Sequence, residues 1–158
     1  MKIEEINLLP LREFVDALGW VFENSPWVAE RAWLRRPFQS VEALHRAMLD
    51  EVERAAPEEQ LALLHAHPDL GAGTNMSAAS ASEQAAAGLD RHSTDAELHQ
   101  LNRRYREKFG FPFLFAVKGS SRSDILRALE DRLAAGPEEE FHEALRQVSR
   151  IAWWRLAE

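Results

Sequence analysis

A histidine followed by proline is the residue of this sequence best placed for acid–base chemistry. His67 precedes Pro68, and the residue before a proline is kept out of the α-helical region. The helical pattern that carries Leu61 and Leu64 is therefore expected to end just before His67, which would give the imidazole a fixed direction. An unperturbed histidine titrates near about pH 6.5, so His67 is a candidate proton donor. The same dipeptide is also typical of a surface helix cap.

A second polar cluster follows about fifteen residues later, in a stretch rich in alanine and serine. Ser80, Glu83, Gln84 and Ala87 are spaced i, i+3, i+4 and i+7, which places them on one face of a helix. A hydroxyl, a carboxylate and an amide among small residues are suited to a small-molecule site. The alternative is structural: Ser80 as N-cap and Glu83 three residues on would form a capping box.

A third candidate lies near the C-terminus, on the apolar stripe of the last predicted helix. Arg155 continues the stripe formed by Phe141, Leu145, Val148 and Ile151. A guanidinium there would either snorkel to the edge of the helix or face an anion, for which its planar fork is suited.

The elements that must position these residues are predicted to be helices. Proline, serine and glycine mark their ends, and the 158 residues, 46% of them hydrophobic, suffice for one domain over residues 1–158. We predict a compact all-α bundle of about eight helices. The predicted stretches are 11–18, 27–34, 41–52, a helix that begins at Pro57 and ends just before His67, 80–88, a helix capped by Ser93 or Thr94 and ending before Gly110, 124–135, and 137–155. The apolar residues of 27–34, Leu34 among them, predict a well-buried helix.

One stretch, residues 111–117, has the composition of a strand. Pro112 and the lack of a second strand-like run argue against a sheet, so we predict an extended buried segment that crosses the core. Its backbone donors cannot all be paired within a helix, which leaves water or a bound ligand as partners.

Composition excludes several classes of function. The net charge of −7 argues against a nucleic-acid or anionic-membrane partner, and the absence of cysteine excludes disulfides, thiolate metal sites and cysteine nucleophiles. Residues 1–5 are too acidic for a signal peptide, and no apolar run reaches the roughly 20 residues of a membrane span. A cytoplasmic protein is expected.

Taken in order, the motifs resemble those of one family, 2-oxo-4-hydroxy-4-carboxy-5-ureidoimidazoline (OHCU) decarboxylase. The resemblance covers nearly the whole length. The motifs are Ser25-Pro26-Trp27-Val28, Arg36-Pro37-Phe38, Ala66-His67-Pro68-Asp69-Leu70-Gly71, Ser80-x-x-Glu83-Gln84, Gly88-Leu89, Asn102-x-x-Tyr105-x-x-Lys108-Phe109-Gly110-Phe111-Pro112-Phe113 and Ile151-Ala152-x-x-Arg155-Leu156.

The resemblance implies a role for each matched position. His67 would be the catalytic proton donor, Glu83 would hold His67 or the substrate hydroxyl, and Arg155 would meet the anionic end of the substrate. Substrate-binding residues would be Pro68 in the pocket wall, Ser80, Ala81, Ser82 and Gln84 around the polar atoms, and main-chain groups of Phe115, Ala116, Val117, Lys118 and Gly119.

The resemblance also implies cofactor-free and metal-free decarboxylation of OHCU to (S)-allantoin in urate degradation, by a helical homodimer. The carboxylate that leaves lies beside a C=N bond, which can accept the electron pair, so no external electron sink is needed. A fixed histidine would then deliver a proton to one face of the carbon.

Two alternatives remain open at this stage. The run His65-x-His67-x-Asp69 alternates residues that could bind zinc in a metal-dependent hydrolase. The five tryptophans and the acidic surface could instead serve a non-catalytic helical binding module.

Overall fold

The computed structural model describes residues 1–71, 76–89 and 96–157, and all regular structure in these ranges is helical. The predicted all-α class is confirmed. Two 3-10 turns, Gly19–Val21 and Trp33–Arg35, accompany nine described α-helices: α1 Ile3–Asn7, α2 Leu11–Leu18, α3 Trp27–Ala32, α4 Val41–Arg54, α5 Pro57–His65, α6 Ala78–Ala86, α7 Ala96–Phe109, α8 Arg122–Leu133 and α9 Pro137–Ala157.

The chain divides into two compact units. The first comprises Met1–Leu63 and Ser149–Glu158, and the second comprises Leu64–Val148. Phe14 and Phe38 stack in the core of the first unit with ring centroids 6.2 Å apart. The organisation of residues 1–158 as a single domain stays a prediction.

Side-chain caps explain where several helices begin. The Ser40 hydroxyl accepts from the Ala43 N–H at 3.1 Å at the start of α4, as the sequence predicts. Helix α8 begins at Arg122 and not at the predicted Asp124, because Ser121 is its N-cap and Asp124 completes a capping box with it. Ser93 and Thr94, the predicted caps of α7, lie outside the described residues.

Two features of the first unit differ from expectation. The short helix α1 was not predicted, because only five residues form it and a single one, Ile6, is buried. The prediction of a well-buried helix over residues 27–34 is wrong for Leu34, which is 78% exposed. The α-helix gives way to a 3-10 turn at Trp33, which changes the direction of the following side chains.

An aromatic cluster with a polar centre fills the core of the second unit. Tyr105 is fully buried and meets Phe111 and Phe113 edge-on. Its hydroxyl donates to the Glu140 carboxylate, which also accepts from Arg132. Burial, with the bond to Glu140 second, raises the pKa of the Tyr105 hydroxyl far above its ordinary value, so it stays protonated as a donor.

None of the helices in the described ranges combines the length and the apolar composition that a membrane crossing needs.

Gly71 is predicted to tolerate substitution less well than Gly110. Both have left-handed backbones, with φ of 77° and 80°, but a Cβ at Gly71 would lie 2.9 Å from Leu98 Cδ2, whereas nothing described lies within 4 Å of one at Gly110. Gly110→Ala should therefore cost the backbone strain alone, about 1–2 kcal/mol. Gly71→Ala should cost about 1–3 kcal/mol more through overpacking. Equal losses in urea unfolding would contradict this explanation.

Candidate active site

His67 lies where the sequence predicts, just past the end of a helix. Helix α5 ends at His65, and the N–H of His67 donates to the Leu64 carbonyl at 3.2 Å in the closing turn. The residue is only 6% exposed, and Pro68 follows it half-buried. The surface-cap alternative is therefore wrong, because the imidazole is held inside the protein.

The peptide unit between Leu70 and Gly71 is held from both sides. Its N–H, on Gly71, donates to Gln84 Oε1 at 2.7 Å, and its carbonyl, on Leu70, accepts from Asn102 Nδ2 at 3.0 Å. Gln84 and Asn102 are 5% and 4% exposed, so both bonds lie away from solvent. The backbone three residues after His67 is thus fixed by side chains from α6 and α7.

One face of α7 provides further contacts with this turn. Asn102 and Arg106 are four residues apart, and Arg106 Nη2 pairs with Asp69 Oδ1 at 2.7 Å. Leu98, four residues before Asn102, lies against Gly71. Residues at this spacing share a helix face, so a single face of α7 holds residues 69–71.

Helix α6 carries the second predicted cluster. Its N-cap is Ser77, whose hydroxyl accepts from the Ser80 N–H at 3.1 Å, so the capping-box alternative with Ser80 as N-cap is wrong. Ser80 lies inside the helix and is 5% exposed, and Gln84 is buried beside the turn. The remaining predicted residues differ in exposure: Glu83 and Ala81 are half-buried, and Ser82 is exposed.

The bond from Gly71 also orients the Gln84 side chain. Because Oε1 accepts this bond, the NH2 end of the amide is the end that can donate to a ligand. Gln84 thereby links the His67 turn to α6, and His67, Ser80, Glu83 and Gln84 all belong to the second unit.

The predicted extended segment is confirmed as buried and non-helical. Within it, Phe113 and Phe115 stack nearly parallel at 6.0 Å, as side chains two apart do on an extended chain. The Ala116 N–H donates to Gln147 Oε1 at 2.9 Å. Ala116, one of the five predicted main-chain positions, therefore has its N–H bound to a side chain. Which main-chain groups of residues 115–119 bind the substrate stays a prediction.

The other end of the segment closes in a turn. The Ser120 N–H donates to the Val117 carbonyl at 2.9 Å, and Gly119 has a φ of 80° that favours glycine. Lys118 and Gly119 are exposed within this turn, whereas Val117 is buried.

Arg155 belongs to the first unit and is held there by several acceptors. Its Nη2 pairs with Glu23 at 3.2 Å, and its Nη1 donates to the carbonyls of Trp20 and Val21 at 3.1 and 3.3 Å. The residue is 3% exposed, so the snorkelling alternative is wrong. The guanidinium faces an anion, and that anion is Glu23; a role toward substrate stays a prediction.

The three residues of the zinc alternative differ in surroundings. His65 is exposed, His67 is buried, and Asp69 pairs with Arg106. Among the described residues no three histidine, cysteine or acidic side chains are gathered as a metal would need. The geometry gives the metal-hydrolase alternative no support.

The sequence predicts no role for four buried polar residues, Glu23, Asn102, Glu140 and Gln147, or for the partly buried Arg132. Asn102 stands in a motif that carries the family resemblance, and this was the available signal. Glu140 and Gln147 are two helical turns apart on α9, flanking the predicted apolar stripe, yet they are only 1% and 5% exposed. From the sequence alone, a buried polar residue beside an apolar stripe looks the same as a solvent-exposed one, because its partner elsewhere in the chain is not known.

Comparisons with known proteins agree with this architecture. A relative from Halalkalicoccus jeotgali, named 2-oxo-4-hydroxy-4-carboxy-5-ureidoimidazoline decarboxylase, is 48% identical over 160 residues, covering 100% of this chain and 91% of the relative. A solved (S)-allantoin synthase superposes with a TM-score of 0.80 at 33% identity, covering 99% of this chain and 53% of that one. An OHCU decarboxylase crystallised in the presence of (S)-allantoin superposes with a TM-score of 0.67 at 26% identity, and the match covers 87% of this chain and 92% of that one.

Fold and similarity together define the class as an all-helical carboxy-lyase. The family model described as OHCU decarboxylase matches residues 7–157. The chain belongs to the OHCU decarboxylase family.

Asn102→Leu is predicted to destabilise the His67 turn. The substitution keeps the branched shape and the number of side-chain heavy atoms but removes the donor to Leu70, leaving a buried carbonyl without its bond at a cost of about 1–3 kcal/mol. Gln100→Leu, an exposed change on the same helix, is the matched control and should change stability by less than about 0.5 kcal/mol. Urea unfolding of both variants measures the difference; similar midpoints would argue against the bond.

A double-mutant cycle tests whether Glu23 and Arg155 act as a buried pair. Arg155→Met leaves the Glu23 carboxylate buried without the Arg155 cation, so a loss of about 3–5 kcal/mol is expected in urea unfolding. Adding Glu23→Gln should recover at least about 1 kcal/mol of that loss, because the uncompensated charge is then gone. Strictly additive losses would show that the pair is not coupled.

Proposed function

We propose that the chain decarboxylates OHCU to (S)-allantoin in urate degradation, with His67 as proton donor. Membership of the family supports the reaction, and the two solved relatives are an (S)-allantoin synthase and an OHCU decarboxylase crystallised in the presence of (S)-allantoin. The observation that carries the role of His67 is its burial in a turn whose following peptide is fixed by Gln84 and Asn102.

The substrate itself provides the electron sink. When the bond between C4 and the carboxylate breaks, its electron pair forms the C4=C5 double bond, and the π pair of the C5=N bond moves to nitrogen, which takes up a proton. The resulting enol then loses its hydroxyl proton as C5 gains one. The stereochemistry of the product is decided by the face on which C5 is protonated.

His67 is suited to that last step. A buried imidazole with a fixed direction can deliver its proton to one face only, and such positioned acid catalysis contributes roughly 10²–10⁴-fold. Glu83 would hold the imidazole or accept the substrate hydroxyl. Ser80 and the NH2 end of Gln84 would bind the polar atoms of the ureido group and ring, beside a wall formed by Pro68.

The remaining predicted residues complete the proposed site. Ala81 and Ser82 would line α6 beside Ser80, main-chain groups of residues 115–119 would bind the ring, and Arg155 would meet the carboxylate. The Glu23 pair would hold the Arg155 guanidinium in one orientation, which limits the entropy lost when the substrate binds.

We also propose that the protein acts in the cytoplasm as a homodimer, as its family resemblance implies. Two apolar residues of the first unit, Leu8 and Leu34, are 83% and 78% exposed to solvent. Their exposure supports a surface that a second copy covers.

The activity is tested by generating OHCU enzymatically from urate and following the circular dichroism of allantoin. The protein should accelerate the appearance of the (S) enantiomer over spontaneous decay. A trace that matches the protein-free control would refute the proposed activity.

His67→Asn is predicted to lose this acceleration by roughly 10²–10⁴-fold, because the amide can form hydrogen bonds but cannot donate the proton. His65→Asn, the same change at the exposed neighbour on α5, is the matched control and should retain activity. Near-wild-type rates and stereospecificity in His67→Asn would refute the assignment.

A further inference from the structure

The extended segment of the second unit is buried without the partner strand that would normally bind its backbone. Phe113, Leu114 and Ala116 are all at most 5% exposed. Buried backbone groups need partners, and no strand exists in the described ranges to provide them. Side chains take this place: Arg132 Nη1 donates to the Leu114 carbonyl, and Gln147 Oε1 accepts from the Ala116 N–H.

Each of these two side chains is itself oriented by a glutamate on α9. Glu140, 1% exposed, accepts from Arg132, and Glu143 Oε1 accepts from Gln147 Nε2 at 3.3 Å. Arg146 pairs in turn with Glu143 Oε2 at 3.2 Å. The Arg132 guanidinium also lies 4.5 Å from the centre of the Phe113 ring. Because a glutamate orients each of these two side chains, their bonds to the extended segment form one connected network and are not accidental contacts.

The two bonds fall on one edge of the segment. In an extended chain the N–H and C=O groups of alternate residues point to the same edge, so Leu114 and Ala116 share an edge and Phe115 and Val117 share the opposite one. Since Arg132 and Gln147 bind the first edge, the N–H groups of Phe115 and Val117 face away from them.

We propose that Arg132 and Gln147 are positioning residues that hold this edge so that the N–H groups of Phe115 and Val117 are presented to the substrate. The inference rests on the proposed function, in which main-chain groups of residues 115–119 bind OHCU. It assigns a task to two side chains that do not touch the reacting atoms, and it selects which two amides bind.

Gln147 is the residue to change, because Arg132 belongs to a buried ion pair whose loss threatens folding. Gln147→Met keeps the length and removes the bond to Ala116. It should raise KM for OHCU about tenfold while kcat changes less than about threefold, because a binding interaction and not the proton transfer is lost. Gln100→Met, the same change at an exposed position, should leave both constants unchanged.

Gln147→Glu supplies a reading that a purely structural role would not give. It keeps an oxygen that can accept from the Ala116 N–H, because a carboxyl group accepts whether or not it is ionised. Its KM should therefore lie closer to that of wild type than the KM of Gln147→Met does, even though the new carboxyl beside Glu143 costs stability. An unchanged KM in Gln147→Met would overturn the proposal, as would a KM in Gln147→Glu as high as that of Gln147→Met.

Amide hydrogen exchange followed by NMR separates this proposal from the proposed function. In the wild-type protein without ligand, the Ala116 amide should be protected from exchange. In Gln147→Met its protection factor should be at least about tenfold lower. When (S)-allantoin is added to the wild-type protein, the exchange of the Phe115 and Val117 amides should slow. A wild-type chain that leaves OHCU decay unaccelerated refutes the activity alone. An Ala116 amide that exchanges equally fast in wild type and variant refutes the positioning role.

Discussion

The proposed site depends on one constraint: a histidine placed in non-helical backbone inside the protein needs its neighbouring peptide groups paired. The peptide between Leu70 and Gly71 meets this need with two side chains, Gln84 from α6 and Asn102 from α7. Each bond contributes only about 1 kcal/mol to stability, but leaving either group unpaired would cost about 1–3 kcal/mol. The turn that carries His67 is therefore held in a single conformation by its surroundings.

The same solution recurs in the extended segment. The part of the chain that the structure describes holds no strand to pair with this stretch, so side chains take the bonds that a neighbouring strand would make, and Arg132 and Gln147 do so at Leu114 and Ala116. A main chain held along one edge is a rigid source of hydrogen bonds along the other. Rigid donors lose little entropy when a ligand binds, which is useful for a small and polar substrate.

Much of the fold could be predicted from local signals, and the reasons are visible at particular residues. Ser40 and Gly110 mark a helix start and a helix end because capping and left-handed backbone depend on neighbouring residues only. Pro68 likewise places His67 beyond the end of α5. The sequence does not predict the five-residue helix α1 or the exposure of Leu34, because both depend on packing in the folded protein and not on the preferences of neighbouring residues.

The polar partners could not be predicted from the sequence for a related reason. Glu140 and Gln147 look like the solvated flank of α9, and only the approach of Arg132 and of the extended segment makes their burial favourable. Arg155 was recognised as unusual on an apolar stripe, but its anion, Glu23, lies 132 positions earlier in the chain and belongs to no local pattern.

Catalysis in this account comes from placement. The substrate carries its own electron sink, so the protein has to supply a pocket and one directed proton. The most direct test is a crystal structure of the protein soaked with (S)-allantoin. The account predicts an imidazole nitrogen of His67 within about 3–3.5 Å of the protonated carbon, with the Gln84 amide bound to the ligand. Allantoin bound elsewhere, or an imidazole directed away from it, would contradict the account.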